Sequence, residues 1–412
     1  MDKKTVKKII ILIIILFFLF FFYIIGRSNS HKADKATFPM YSSPKNFGDD
    51  DLLKKAKVKK KWNRLGKSTI SEGVAEFPAL FVSNNTPYIA YIDHANHFKV
   101  SVKKYNGSDW DYVGDKTLST DEAYYLSLFV DNNTPYIAYA DKANNYSLTV
   151  KVFDNNKWDT LSNPKLSKGK TSDISLCVFN NVPYIAFIEK NEKTELKVMK
   201  FVHNDWVSLG IDPVHKGSIR FTSLKIESGI PYIAYVDESD YKLIVKRFDG
   251  IYWNSVGSEI SEGTASYPSL QILNNTPYIA FVDHVLFSRP VKSANITETK
   301  VKKFNGENWI LVGTDPLCFE KTNFTTIQFY KNKLFATYIN TDNENELTIK
   351  LLIKNKWITI NRYKLSTGPQ INNARNVSFA IQNDSPYVAF IDKLNDYKIT
   401  ALKYDDPSKE LP

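Results

Sequence analysis

Seven times in this 412-residue chain a carboxylate or its amide closes the same short segment. PYIAYID ends on Asp93, PYIAYAD on Asp141, PYIAFIE on Glu189, PYIAYVD on Asp237, PYIAFVD on Asp283 and PYVAFID on Asp392; the degenerate LFATYIN ends on Asn340. A near-acidic ring has two chemistries open to it: oxygen coordination of Ca²⁺ and general acid–base work. It also has a structural use, because Asp at a strand end accepts N–H bonds from the following turn and recurs when the turn recurs. The structural use is the expectation here. Glycoside hydrolysis needs two carboxylates a few ångströms apart across a cleft, and the pattern singles out no such pair.

Other reactive groups are sparse. His94 and His284 follow Asp93 and Asp283 in equivalent copies, while His97, His203 and His215 lie elsewhere in the repeats and His31 precedes them. Equivalent copies lie apart in a ring, so no shared metal site is expected. No GxSxG, HExxH or phosphate-cradling loop occurs. Cys177 and Cys318 are the only cysteines, which excludes a disulfide-dense scaffold and CxxC-type zinc sites. No cofactor is expected. The remaining chemistry is aromatic and cationic: Phe98, Tyr124, Tyr125, Tyr146, Tyr241, Tyr252 and Phe287 read as loop aromatics, and an insertion at residues 285–298 adds Arg289 and Pro290 beside Phe287. Phe98, Tyr146, Tyr241, Phe287 and Arg289 are the expected ligand-binding residues, with the insertion as partner contact.

What must position these groups is a repeat. Trp62, Trp110, Trp158, Trp206, Trp253, Trp309 and Trp357 are the chain's tryptophans, separated by 48, 48, 48, 47, 56 and 48 residues. Units of this length carrying several short β-patterns mark a propeller or similar array. In one copy SLQIL leads through NNT into PYIAFVD, and TKVKKF leads through NGEN into WILVG. Each unit is therefore a four-stranded antiparallel meander with two tight hairpins. The second strand is apolar on both faces, so both must be covered, as happens when blades stack radially. Its small residue, Ala90, Ala138, Ala186, Ala234, Ala280 or Ala389, with Thr337 in the degenerate copy, suits close blade packing. One tryptophan per unit at a fixed strand position reads as inter-blade core rather than as a sugar platform.

The ends are out of phase with the repeat. The last copy stops after its third strand, and KKKWNRLG around Trp62 is a fourth strand with no preceding three. Pairing them closes a seven-bladed ring. The chain thus resembles the seven-bladed β-propellers, and more narrowly secreted or surface bacterial repeat proteins with units similar to PYVAY.D…V.KYNG..W..VG. The resemblance spans about residues 57–405 and implies an all-β fold; propellers host many functions, so it assigns none.

The formal net charge is +10, but residues 1–60 hold 13 Lys or Arg against 5 Asp, leaving 41 against 39 in the remainder. The near-neutral array speaks against nucleic acid as a partner. Lys3, Lys4, Lys7 and Lys8 precede an apolar run over residues 9–25, which predicts a transmembrane anchor with its N-terminus in the cytoplasm and the array outside it; cleavage there would yield a secreted protein. The expected organisation is an anchor over 1–26, a flexible stalk over 27–56, the propeller over 57–405 and a tail over 406–412. The expected function is a monomeric, membrane-tethered, non-catalytic module that binds a protein or glycan or acts as a scaffold, through the face bearing the longer loops. The alternative is a glycan-active hydrolase or lyase using acidic residues on that face.

Overall fold

The computed structural model describes residues 61–67, 69–161, 166–288, 293–343, 345–365 and 377–405. They form seven antiparallel sheets, six in sequence order and the seventh assembled from both ends of the array. Blade 1 consists of Ala75–Ser83, Thr86–Asp93, Lys99–Tyr105 and Trp110–Tyr112, and blades 2 to 6 follow the same plan. Blade 3 has one extra short strand, His215–Lys216, on its third strand. Blade 7 is Val377–Gln382, Ser385–Asp392 and Lys398–Asp405, completed by Lys61–Arg64. The closing strand pairs Trp62 with Tyr404 and Arg64 with Leu402. Each inner strand packs on the next, and that of blade 7 packs on that of blade 1. The ring is closed as its broken ends predict.

Turn chemistry explains the meanders. Asn84 and Asn85 between the first two strands have φ of 45° and 65°, the left-handed pair whose twist matches that of the strands it joins. Asn132-Asn133, Asn180-Asn181 and Asn274-Asn275 repeat it. These short hairpins lie on one face of the ring. The turns between second and third strands and the connections between blades lie on the other, the long-loop face.

The core lies between blades. Ala90 and its five counterparts, and Thr337, are fully buried. The tryptophans stack on their own third strands, as Trp253 does on Phe248, and reach back to the preceding blade. Trp110, Trp158, Trp253, Trp309 and Trp357 each donate an indole N–H to a carbonyl there, those of Leu65, Val113, Leu209, Val256 and Val312. They are structural, as expected.

A second set of inter-blade bonds runs along the inner strands. Ser378, Ser127, Ser175, Ser223 and Ser269 share one position, and each hydroxyl accepts the backbone N–H of Leu80, Leu176, Leu224, Leu270 or Ile327 on the following blade, at 2.9–3.1 Å. An inner strand has an open edge, and edge N–H groups left dry are costly. The serines satisfy them.

One expectation is modified. The insertion at 285–298 is not a loop: it lengthens the second and third strands of blade 5 to Thr276–Ser288 and Ser293–Phe304, paired as far as Ser288 with Ser293. The anchor, stalk and tail, including the apolar run 9–25, lie outside the described residues. Among the described residues no helix is long and apolar enough to cross a membrane. Cys177 and Cys318 are buried free thiols.

Candidate functional site

The acidic ring is consumed by the fold. Asp93 accepts the N–H of Ala95 in the following turn at 2.9 Å, and those of Glu72 and Gly73 in the connection entering the blade at 2.9 and 3.1 Å. Asp283 holds Glu262 and Gly263 in the same way, and Glu189 holds Lys168 and Gly169. Asp141, Asp237 and Asp392 accept from Ala143, Ser239 and Leu394. A cation already serves Asp283: Lys300 Nζ lies 2.8–3.1 Å from Glu298, Glu262 and Asp283. Burial opposes the charge on Lys300, but the three carboxylates outweigh it and raise its pKa. No group of three or more His, Cys, Asp or Glu among the described residues is placed to hold a metal ion. The structural use of the ring stands, and the acidic chemistry attached to the enzyme alternative does not rest on these positions.

A different ring carries the diversity. Inner strands of blades 1 to 6 slip register near their start, for example between Glu76 and Ala79 and between Arg220 and Ser223. The first bulged residue is left-handed in five blades: Phe77, Tyr125, Asp173, Phe221 and Tyr267, with φ of 48–59°. Four of these are aromatic, and a bulky residue in that region is strained by roughly 1–3 kcal/mol. Strain repeated blade after blade forms an aromatic collar on the long-loop side. Phe221 and Tyr267 approach to 4.9 Å between ring centroids, and Phe77 and Tyr125 to 6.1 Å.

The residue just before the bulge differs in chemistry from blade to blade, being Glu76, Tyr124, Ser172, Arg220, Ser266 and Asn323. In blades 1, 4 and 5 it meets the residue just after the acidic position. Glu76 Oε1 lies 3.0 Å from His94 Nε2, Arg220 Nε 3.7 Å from Glu238, and Ser266 Oγ 3.3 Å from His284 Nε2. In blade 2, Tyr124 donates its hydroxyl to Glu122, which also takes Lys142 Nζ at 2.8 Å. Identical backbone with varied side chains is how one scaffold builds a site.

Blades 1 and 2 join into one patch. The His94 ring stacks on Phe98 at 4.2 Å, the Phe98 carbonyl accepts Ala123 N–H, and the next residue, Tyr124, packs on Tyr146 at 5.6 Å, with Lys170 Nζ 5.2 Å over the Tyr146 ring. Glu76 Oε1 meets the His94 ring at Nε2, which leaves Nδ1 outside that contact. Burial, reinforced by Glu122, raises the Tyr124 pKa, so the phenol keeps its proton near neutrality. The patch thus brings an imidazole of blade 1 and a phenol of blade 2 to either side of the Phe98–Ala123 backbone bond. Two other half-buried histidines are engaged on both nitrogens: His215 by Tyr235 and Asp237, and His284 by Ser266 and Thr297.

Of the expected ligand-binding residues, Phe98, Tyr146 and Tyr241 occupy one equivalent, left-handed position on the long-loop face, shared with Tyr397. Their carbonyls hold the next blade, through Ala123, Thr171 and Ala265. Their rings remain available, with Phe98 and Tyr241 exposed. Phe287 lies in the lengthened hairpin, where only backbone pairing is described, and Arg289 lies outside the described residues. Tyr124 and Tyr125 are inner-strand residues, not loop residues. Tyr252 lies in the third-to-fourth strand turn, on the opposite face.

No protein-family model and no curated protein matches this sequence. Among solved structures it is similar to a PL25 polysaccharide lyase, an ulvan lyase, bound to -[GlcA(1-4)Rha3S]-, with a TM-score of 0.53 and 14% identity over 83% of this chain and 95% of that one. A structure titled simply as the PL25 ulvan lyase aligns at 0.52 and 13%, with the same coverage. At such identity the likeness is one of fold. Against the expectation of a non-catalytic binding or scaffold module, both of these propellers are polysaccharide lyases.

Proposed function

We propose that this chain is a glycan-active enzyme working at the collar of the long-loop face, with lyase-type proton chemistry centred on Glu76, His94 and Tyr124. The observation that carries the proposal is the Glu76–His94 pair at 3.0 Å, packed on the Phe98 ring, whose backbone carbonyl holds the blade bearing Tyr124. Eliminative cleavage of a uronate needs a base to remove the proton α to the carboxylate and an acid to protonate the departing glycosidic oxygen as the C–O bond breaks. His94 Nδ1 supplies the first and the Tyr124 phenol the second; no water is consumed. A hydrolase would instead require a carboxylate pair, and the ring of acids is occupied by backbone N–H groups and Lys300. Phe98, Tyr146 and the collar rings supply stacking surface for sugar faces. The fold likeness to polysaccharide lyases supports the same class. The proposal includes the predicted tether over residues 9–25, which would hold the propeller outside the cytoplasm, where polysaccharides are met.

Incubation of the full-length protein with a panel of acidic and neutral polysaccharides tests this. The expected outcome is depolymerisation with an unsaturated uronate at the new non-reducing end. His94→Ala and Tyr124→Phe should each lower kcat by about 10²-fold or more at unchanged melting temperature. Full activity in His94→Ala, or bound glycans that are never cleaved, would overturn the proposal.

A further inference from the structure

Blade 4 presents a cation held in an unusual way. Arg220 precedes the bulge residue Phe221, and its guanidinium carbon lies 5.0 Å from the Phe221 ring centroid and 5.2 Å from that of Tyr241. Its Nε is buried without a hydrogen-bond partner. The nearest carboxylate, Glu238, stands at 3.7 Å, beyond hydrogen-bonding distance. Two aromatic rings therefore steady the plane of the group while its donor edge is left largely unsatisfied. A guanidinium immobilised in this manner loses little side-chain entropy on meeting a planar or tetrahedral oxyanion, which it can grip through two parallel N–H bonds.

The surroundings combine apolar surface with charges of both signs. His284, on the neighbouring blade, has its pKa lowered first by burial and further by the positive charges of Lys321 and Arg220, against the opposing pull of Asp283. The carboxylates nearby include Glu238 on blade 4, Asp173 on blade 3 and Asp283 on blade 5. Asp173 is already committed, its Oδ1 accepting the Phe221 N–H at 3.3 Å. Tyr241 is 43% exposed, and Phe221 and Tyr267 continue the apolar surface at 4.9 Å between centroids.

We infer that Arg220, framed by Phe221 and Tyr241, is an anion-recognition subsite for a sugar oxyanion, a carboxylate or a sulfate ester, which makes the collar selective for anionic over neutral glycans. The inference rests on the glycan-active reading and specifies its substrate class. Glu238 then acts as the placeholder that the ligand's oxyanion displaces. Arg220 is a binding group and takes no part in proton transfer.

The test is equilibrium binding by the full-length protein carrying His94→Ala, so that turnover does not enter, with three probes: a polyuronate without sulfate, a sulfated galactan without uronate, and a neutral galactan. Tighter binding of at least one anionic probe than of the neutral one, weakening as salt is raised, is expected. Adding Arg220→Gln should weaken that binding about tenfold or more, and Arg220→Lys should restore only part of it, since an ammonium lacks the stacked fork. Tyr241→Ala provides an independent loss without altering charge, and thermal melting confirms that each variant folds. The preferred anionic probe distinguishes carboxylate from sulfate. Equal binding of all three probes, or wild-type affinity in the folded Arg220→Gln variant, would sink the inference even where cleavage is observed; Arg220-dependent binding without cleavage by the unmodified protein would sink the enzyme reading alone.

Discussion

Trp253 and Trp206 occupy the same position in adjacent blades yet differ by one bond. Trp253 donates to the Leu209 carbonyl at 2.7 Å, whereas the buried Trp206 indole N–H has no partner. The difference tracks the end of the preceding blade. Where a tryptophan finds its carbonyl, that carbonyl is followed by a glycine, as at Gly66, which has a φ of 90° and where a Cβ would lie 2.7 Å from the Trp110 ring. Before Trp206 the sequence reads Leu161-Ser162, and before Trp62 it reads Ile360-Asn361; Trp62 is the other indole without a bond. Trp253→Phe should therefore cost about 1 kcal/mol more than Trp206→Phe, the worth of one buried hydrogen bond beyond lost packing. Equal losses in chemical denaturation of the two variants would refute this account. At this scale the sequence was legible where a type recurs: tryptophans as core and acids as turn anchors follow from their spacing. Glu76 and Arg220 were missed, and Tyr124 was placed in a loop, because these residues do not recur, and a changing residue looks like drift until the backbone shows it to be one position.

Between blades, the inner strands show how a sheet edge is managed without another strand. A serine hydroxyl caps the next blade's N–H at five junctions, but Ala79 occupies the serine position at the junction of blades 1 and 2. Ala79→Ser should add the missing acceptor for Leu128 N–H and raise stability by up to about 1 kcal/mol, and Ser175→Ala should lower it by a similar amount; a destabilised Ala79→Ser variant in urea titration would show that the edge has no need of the bond. The signal for these inner strands is present in the chain as Phe77-Pro78-Ala79-Leu80, Tyr125-Leu126-Ser127-Leu128 and Phe221-Thr222-Ser223-Leu224: an aromatic, any residue, a small residue, a leucine. It escapes a period-two reading because the bulge inserts a residue and exchanges the faces halfway along the strand. The insertion at 285–298 illustrates the converse, since its length was plain but its pairing into a lengthened hairpin was not.

For the molecule as a whole, closure depends on a four-residue strand whose partner lies more than three hundred residues away in sequence, with Trp62 packed on Tyr404 and Tyr363 at 5.4 and 5.8 Å. Trp62→Ala should cost about 3–5 kcal/mol, as for a large core aromatic, and because an opened ring exposes two inner faces, the loss should appear in cooperative unfolding of the whole array; separate early melting of blade 7 alone would contradict it. The seven blades, their four strands, the tight turns and the N-terminal closure were determined by the sequence itself. Each is encoded by local periodicity and turn chemistry repeated seven times, so that errors in one copy are corrected by the others. The site was decided by tertiary structure. Glu76 and His94 lie eighteen residues apart, Phe98 meets the blade of Tyr124 through a backbone bond, and Arg220 finds its two rings only when strand and loop fold together. Juxtaposition across strands and blades arises from the closing of the ring, and no local pattern in a chain records which side chains that closing brings face to face.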